Sequence, residues 1–199
     1  MPSTPGKTAL FGGSFDPPHL GHLEVADAAR QRCALDRVIF LPCSRSPHKE
    51  QETGATGVQR VEMLRLLTEG LGWAEVSDFE VSRPAPSYSW ITVDYFTERL
   101  GKLAEIYWIL GADQWAKISA WRNSDQLAQK LHFIVSTRGD GGVMRRQGFR
   151  STPVSVSHPA SSTALRAAFA GGEPLPQGWL PESIQAYIQS HQLYESAVR

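Results

Sequence analysis

The chain is poor in cysteine. Only Cys33 and Cys43 occur among its 199 residues, and they form no C-x-x-C pair. A disulfide scaffold and a structural zinc site are therefore disfavoured, and free thiols suit a reducing compartment. Long apolar runs are also missing. No stretch approaches the roughly 18 residues needed to span a membrane, and residues 1–7 lack an apolar segment of signal-peptide length. Neither sign of charge dominates, with Lys plus Arg at 20 and Asp plus Glu at 20. A broad nucleic-acid footprint is not expected, and any positive field should be local. There is no internal repeat. The expectation is a cytoplasmic protein with no membrane or nucleic-acid partner.

What is present supports a sizeable core, since 41% of residues are hydrophobic and 20% charged. Apolar, β-branched runs at 8–11, 37–41, 106–110 and 132–136 read as strands, and 74–81 as an extended segment. Helical patterns fall at 23–32, 59–67 and 90–100. Another over 127–130 is expected to be capped by Ser124. Residues 161–171 and a last helix begun by Pro181 and reaching about His191 complete the series. The stretches 42–57, 83–89 and 138–150 read as loops, and 154–156 as a short extended piece. Strands alternating with helices predict an α/β fold, a doubly wound and mostly parallel sheet with C-terminal helices. The length fits one domain, 1–199, with 158–199 as its C-terminal helical portion.

Function concentrates in one strand-to-helix turn, Gly12-Gly13-Ser14-Phe15-Asp16-Pro17-Pro18-His19-Leu20-Gly21-His22. Gly12 and Gly13 have no Cβ, so backbone can approach a ligand. Amides opening the following helix are unpaired and favour anions. His19 and His22 are three residues apart, which puts both imidazoles on one face of a helical first turn. Together these predict a phosphate site. It is not a G-x-G-x-x-G fingerprint, and no Ser-His-Asp set accompanies it. Cys43 directly follows a strand and is read as a plain thiol.

His19-x-Gly21-His22 behind Gly12-Gly13-x-Phe15-Asp16-Pro17 resembles the His-x-Gly-His nucleotidyltransferase superfamily, and within it the nicotinate mononucleotide adenylyltransferases. The likeness runs from about residue 9 to 194. Leu41-Pro42 with Pro47-His48-Lys49 is similar to the family's loop with a substrate-facing lysine. Gly111-Ala112-Asp113 is similar to its Gly-x-Asp turn at a nucleotide ribose. Trp121 lies ten residues after Gly111, where the family places an aromatic on the pyridine ring. Ser161-Ser162-Thr163-x-x-Arg166 matches the helix start that holds ATP phosphates. Leu180-Pro181, Tyr187-Ile188, His191, Leu193 and Tyr194 resemble its C-terminal helix. The family's Pro-Ser-Tyr-Thr-x-Asp-Thr loop is altered here to Pro86-Ser87-Tyr88-Ser89-Trp90-Ile91-Thr92. An alternative register uses Thr92-Val93-Asp94.

The resemblance implies a Rossmann-like fold and adenylyl transfer from ATP to nicotinate mononucleotide. It implies His19, His22, Lys49 and Arg166 as catalytic residues. ATP would meet Gly12, Gly13, Ser14, Phe15, His19, His22, Gly111, Asp113, Ser161, Ser162, Thr163 and Arg166. The mononucleotide would meet Lys49, Tyr88, Ser89 and Trp121. Mg2+ would arrive mainly through ATP phosphates, without a dedicated carboxylate cage, and a homo-oligomer is implied by family alone. Plainer alternatives stay open at this stage. Lys49 is otherwise a solvated loop charge, Asp113 a turn residue, Arg166 the partner of a surface carboxylate and Trp121 a core residue. His48, His132, His158 and His191 are read as ordinary. Competing functions are a nicotinamide mononucleotide enzyme and a non-catalytic nucleotide sensor. Pantetheine-phosphate adenylyltransferases usually carry Thr where His19 stands. A class I aminoacyl-tRNA synthetase would need a Lys-Met-Ser-Lys-Ser stretch, which is missing.

Overall fold

Period-two alternation along the strands sorts their side chains into two cores. In the computed structural model, which describes residues 6–45, 54–101, 103–139 and 142–195, the strands are β1 (Lys7–Gly13), β2 (Arg37–Pro42), β3 (Ala74–Val76), β4 (Glu105–Gly111), β5 (His132–Thr137) and β6 (Arg150–Ser155). Phe11, Phe40, Tyr107 and Ile109 point to one face. Leu10, Ile39, Trp108 and Phe133 point to the other. Both faces are buried, which is why these strands read as continuous apolar runs.

The helices are α1 (Leu20–Cys33), α2 (Gly57–Thr68), α3 (Ser89–Leu100), α4 (Ala112–Ala116), α5 (Ser124–Lys130), α6 (Ser162–Gly171) and α7 (Glu182–Ser190). Ala26 and Ala29 of α1, Leu64 of α2, Leu165 of α6 and Ile184 of α7 cover the first face. Val93 and Phe96 of α3, Trp115 of α4 and Leu127 of α5 cover the second. Full burial of a Leu or Phe of this kind stabilises by about 1.5–3 kcal/mol.

The strand order is β3-β2-β1-β4-β5-β6, and every pairing is parallel. The expected mostly parallel sheet is thus parallel throughout. The order reverses between β1 and β4, and in such sheets ligands bind beyond the strand ends at that switch.

Several boundaries differ from the sequence expectation. The 74–81 segment is strand only over Ala74–Val76. Helix α1 starts at Leu20, with His19 at the cap position. Ser124 is the first residue of α5, and the cap position falls on Asn123 in a left-handed conformation, φ 58°, with no side-chain cap hydrogen bond. Strand β6 begins at Arg150, inside the stretch read as the end of a loop. Pro153 fits within β6 because this strand lies at the sheet edge, where a missing N–H is tolerated.

Candidate active site

The β1–α1 turn is tied down from three distant parts of the chain. Asp16 is buried, and its carboxylate accepts from the Gly54 and Ala55 amides at 2.8 and 3.0 Å. Arg60 of α2, fully buried, donates to Ser14 O at 2.7 Å and Ala55 O at 3.2 Å. From α6, Ser162 Oγ donates to Pro17 O at 2.8 Å and Arg166 Nη1 to Asp16 O at 2.6 Å. Phe15 sits at φ 49°, a left-handed conformation that costs a non-glycine residue energy and needs such support.

The two glycines are required by packing as much as by ligand access. A Cβ on Gly12 would lie 2.9 Å from the Trp108 ring, and one on Gly13 2.9 Å from the Phe15 ring. A Cβ on Gly111 would lie 2.6 Å from an Asp113 carboxylate oxygen. Asp113 thus folds back over the end of β4.

Two cavities open on either side of this turn. One, of about 720 Å3, is lined by His19, His22, Arg138, His158 and the 161–163 start of α6. The other, of about 420 Å3, is lined by Glu80, Tyr88, Ser89, Trp108, Trp121 and Arg122. Gly12, Gly13, Ser14, Gly111 and Asp113 border both. The cavities therefore meet at the switch between β1 and β4.

In the larger cavity the His19 and His22 rings stack, with centroids 3.7 Å apart and planes at 28°. His22 Nδ1 accepts from the His19 amide at 3.2 Å. This is the reach-back of a capping box, performed by an imidazole, and it leaves the neutral ring's proton on Nε2. Burial, then the neighbouring charges of His158 and Arg138, pull the His19 pKa from its ordinary value down to about 4. Its Nδ1 is buried with no hydrogen-bond partner among the described residues. His158 Nδ1 accepts from the Ala160 amide at 3.1 Å. Ser161 caps α6 by accepting from the Ala164 amide at 3.2 Å.

In the smaller cavity Trp121 meets Trp108 edge to face at 6.2 Å. Tyr88 stands at the cap position of α3 without a side-chain cap hydrogen bond, so the amides of Ser89 and its successor belong to an open helix start. The Arg122 guanidinium lies 5.3 Å from the centre of the Tyr88 ring. Asp94, the acidic residue of the alternative register, is ion-paired with Lys130 at 2.5 Å and lies outside both linings.

The structure thus brings together Gly12, Gly13, Ser14, Phe15, His19, His22, Gly111, Asp113, Ser161, Ser162 and Thr163 around the larger cavity, and Tyr88, Ser89 and Trp121 around the smaller. Arg166 lies behind the turn, engaged with Asp16. Lys49, with Pro47 and His48, lies outside the described residues. Sequence reasoning missed Arg138, His158, Glu80 and Arg122 as cavity residues. A usable signal existed for two of them: Arg138 immediately follows β5, and His158 comes shortly after β6, at the strand ends where ligands gather.

Comparison with known proteins follows the same lines. A cytidylyltransferase-like family model matches residues 10–168. The probable nicotinate-nucleotide adenylyltransferase of Methylacidiphilum infernorum is 37% identical, covering 96% of this chain and 94% of that protein. The chain belongs to the nicotinate-nucleotide adenylyltransferases. The Moorella thermoacetica relative of the same name is also 37% identical, over 96% of this chain and 92% of its own length. The Plasmodium falciparum nicotinic acid mononucleotide adenylyltransferase complexed with NaAD shares the fold, with TM-score 0.79 at 18% identity over 98% of this chain and 100% of that one.

Proposed function

We propose that the chain transfers the adenylyl group of ATP to nicotinate mononucleotide, giving nicotinate adenine dinucleotide and pyrophosphate for NAD biosynthesis. The observation that carries this reading is the junction of the two cavities at Gly12, Gly13 and Ser14. A triphosphate in the imidazole-lined cavity and a mononucleotide in the aromatic one bring their phosphates together there.

A phosphate oxygen of the mononucleotide attacks the α-phosphorus of ATP. A new P–O bond forms, and the bond from that phosphorus to the bridging oxygen breaks. Pyrophosphate leaves with the electron pair. The attacking phosphate is already anionic, so no general base is needed, and catalysis is alignment and charge stabilisation. His22 Nε2–H and the open start of α6 at Ser162 and Thr163 donate to phosphate oxygens. His19 is desolvated and neutral until an anion arrives. A phosphate against its orphaned Nδ1 supplies a partner and draws a proton onto the ring. Lys49 and Arg166 belong to the same reading as catalytic cations. Arg166 also holds the turn in place through Asp16.

Magnesium fits as the companion of the triphosphate. Among the described residues no three His, Cys, Asp or Glu side chains converge, and a cation bound through phosphates and water needs no such set. When bound it neutralises charge on the phosphate oxygens.

For the base, Trp121 offers a stacking face and the α3 start offers N–H groups to a carboxylate. Arg122 is the one Lys or Arg among the described residues lining that cavity, which favours nicotinate over nicotinamide. The same reading takes 1–199 as one nucleotidyltransferase domain, with 158–199 its helical C-terminal portion. It also takes the protein as cytoplasmic, without nucleic-acid partners, and homo-oligomeric by family. Among the described residues no helix is long and apolar enough to cross a membrane.

The test is pyrophosphate release from ATP with each mononucleotide. Release with nicotinate mononucleotide supports the reading. Tight ATP binding without release would leave a nucleotide sensor in its place.

A further inference from the structure

Glu80 is a carboxylic acid placed in the wall of the smaller cavity and only 6% exposed. Burying such a group is costly unless its oxygens are satisfied. Thr92 Oγ1 donates to Glu80 Oε1 at 2.6 Å, and the Ser87 hydroxyl also donates to the carboxylate. Burial pushes the Glu80 carboxyl up in pKa, and these two hydroxyls oppose that shift.

The identity of the partners is what gives the arrangement meaning. Ser87 immediately precedes Tyr88 and Ser89, and Thr92 lies in the first turn of α3 just after them. One side chain therefore grips the segment on both sides of the two residues assigned to the base. Ser87 extends the grip. Its Oγ accepts from the Ser44 amide at 3.0 Å, and its own amide donates to Arg45 O at 3.0 Å. The loop after β2 is thus fastened to the same point. On the other side, Phe79 stacks on Tyr95 of α3 at 4.0 Å with planes at 15°. That contact fixes the Glu80 segment itself against the helix.

We infer that Glu80 is a positioning residue for pyridine recognition, its carboxylate setting where Tyr88 and Ser89 stand relative to Trp121. The inference rests on the adenylyltransferase reading above. Glu80 acts through Ser87 and Thr92, because its hydrogen bonds go to protein hydroxyls. A residue serving only the fold would affect both substrates alike. A positioning role at the base should separate them.

Steady-state kinetics of wild type, Glu80→Ala and Glu80→Gln, varying each substrate in turn, test this. Loss of a charge-assisted grip should raise KM for nicotinate mononucleotide about tenfold in Glu80→Ala. KM for ATP should stay within about twofold. Gln keeps an acceptor for both hydroxyls, so Glu80→Gln should restore most of the affinity. If Glu80→Ala does not fold, Ser87→Ala and Thr92→Val each remove one hydroxyl and should raise the mononucleotide KM selectively. Unchanged mononucleotide KM in folded variants, or a parallel rise in both KM values, overturns the inference. A wild-type protein that releases no pyrophosphate from ATP and nicotinate mononucleotide overturns the parent reading instead.

Discussion

Tyr194 Oη donates to Asp16 Oδ1 at 2.8 Å, joining residues 178 apart in sequence. A residue beyond α7 thereby supports the turn that carries His19 and His22. Gly54 allows the contact, since a Cβ there would lie 2.8 Å from the Tyr194 ring. The same Asp16 is approached by Arg166, whose Nη1 is 3.9 Å from its carboxylate. The turn, α6 and the residues after α7 therefore behave as one hydrogen-bonded unit.

Removing the Tyr194 hydroxyl tests that unit. Burial, then Asp16, raises the phenol well above its ordinary range, so it remains a donor throughout. A hydrogen bond to a charged group contributes about 1.5–3 kcal/mol. Tyr194→Phe should lower the urea midpoint by about 1 M for an m-value of about 2 kcal/mol/M. An unchanged midpoint would show that Asp16 is satisfied without it.

His19 makes stability depend on pH. Its folded pKa is lowered to about 4 by burial, with His158 and Arg138 adding, against about 6.5 in the unfolded chain. Between those values the unfolded chain binds more protons, so stability rises with pH. The contribution is complete above about pH 6.5 and is lost as pH falls through the window to 4. Its size is about 3 kcal/mol as an order of magnitude. Denaturation curves from pH 4 to 7 should show this slope in wild type and a flatter one in His19→Asn. Equal slopes would remove His19 as the cause.

His22 has two separable roles. Its Nδ1 satisfies the His19 amide, and its Nε2–H is the donor that the proposed reaction assigns to a phosphate. His22→Ala should cut kcat by about two orders of magnitude, the scale of one lost positioned donor. It should also cost about 1 kcal/mol of stability through the cap. His22→Glu offers the His19 amide a carboxylate oxygen, as in an ordinary capping box, so it should recover the stability and none of the activity. Recovery of both would mean that His22 serves only the helix.

The parts of this architecture that could be read from sequence are those whose signal is local. Buried parallel strands such as Trp108 to Leu110 are apolar without interruption, and the His19–His22 motif is contiguous. Helix α4, at five residues, is too short to show periodicity. The start of α1 falls before the helical pattern read from sequence because His19 holds the cap position in place of Ser, Thr, Asp or Asn, and His22 makes the reach-back usual for Glu or Gln. Glu80, Arg122, Arg138 and His158 are single residues in separate loops. Only the strand order brings them to common cavities; Arg138 and His158 are marked by following strand ends, and Glu80 and Arg122 by no local signal. Arg166 was legible as a motif member, but its hold on Asp16 depends on a contact across 150 residues.

Selection of the base should respond to Arg122. Its guanidinium stacks over Tyr88 at the mouth of the smaller cavity, beside Trp121, whose ring is assigned to the pyridine. A nicotinate carboxylate carries a full charge that this cation can attract, whereas a nicotinamide amide carries none. Arg122 is exposed, so the attraction is screened by water and its value is at most about 1 kcal/mol, or about fivefold in affinity. Arg122→Ala should therefore lower kcat/KM for nicotinate mononucleotide about fivefold and leave that for nicotinamide mononucleotide nearly unchanged. Arg122→Lys keeps the charge and loses the planar stacking, so it should fall between the two. Raising ionic strength should erode the acid-over-amide preference of wild type more than that of Arg122→Ala. If the alanine variant loses activity equally toward both mononucleotides, Arg122 supports Tyr88 without choosing the base. The choice would then rest with the main-chain N–H groups at the start of α3.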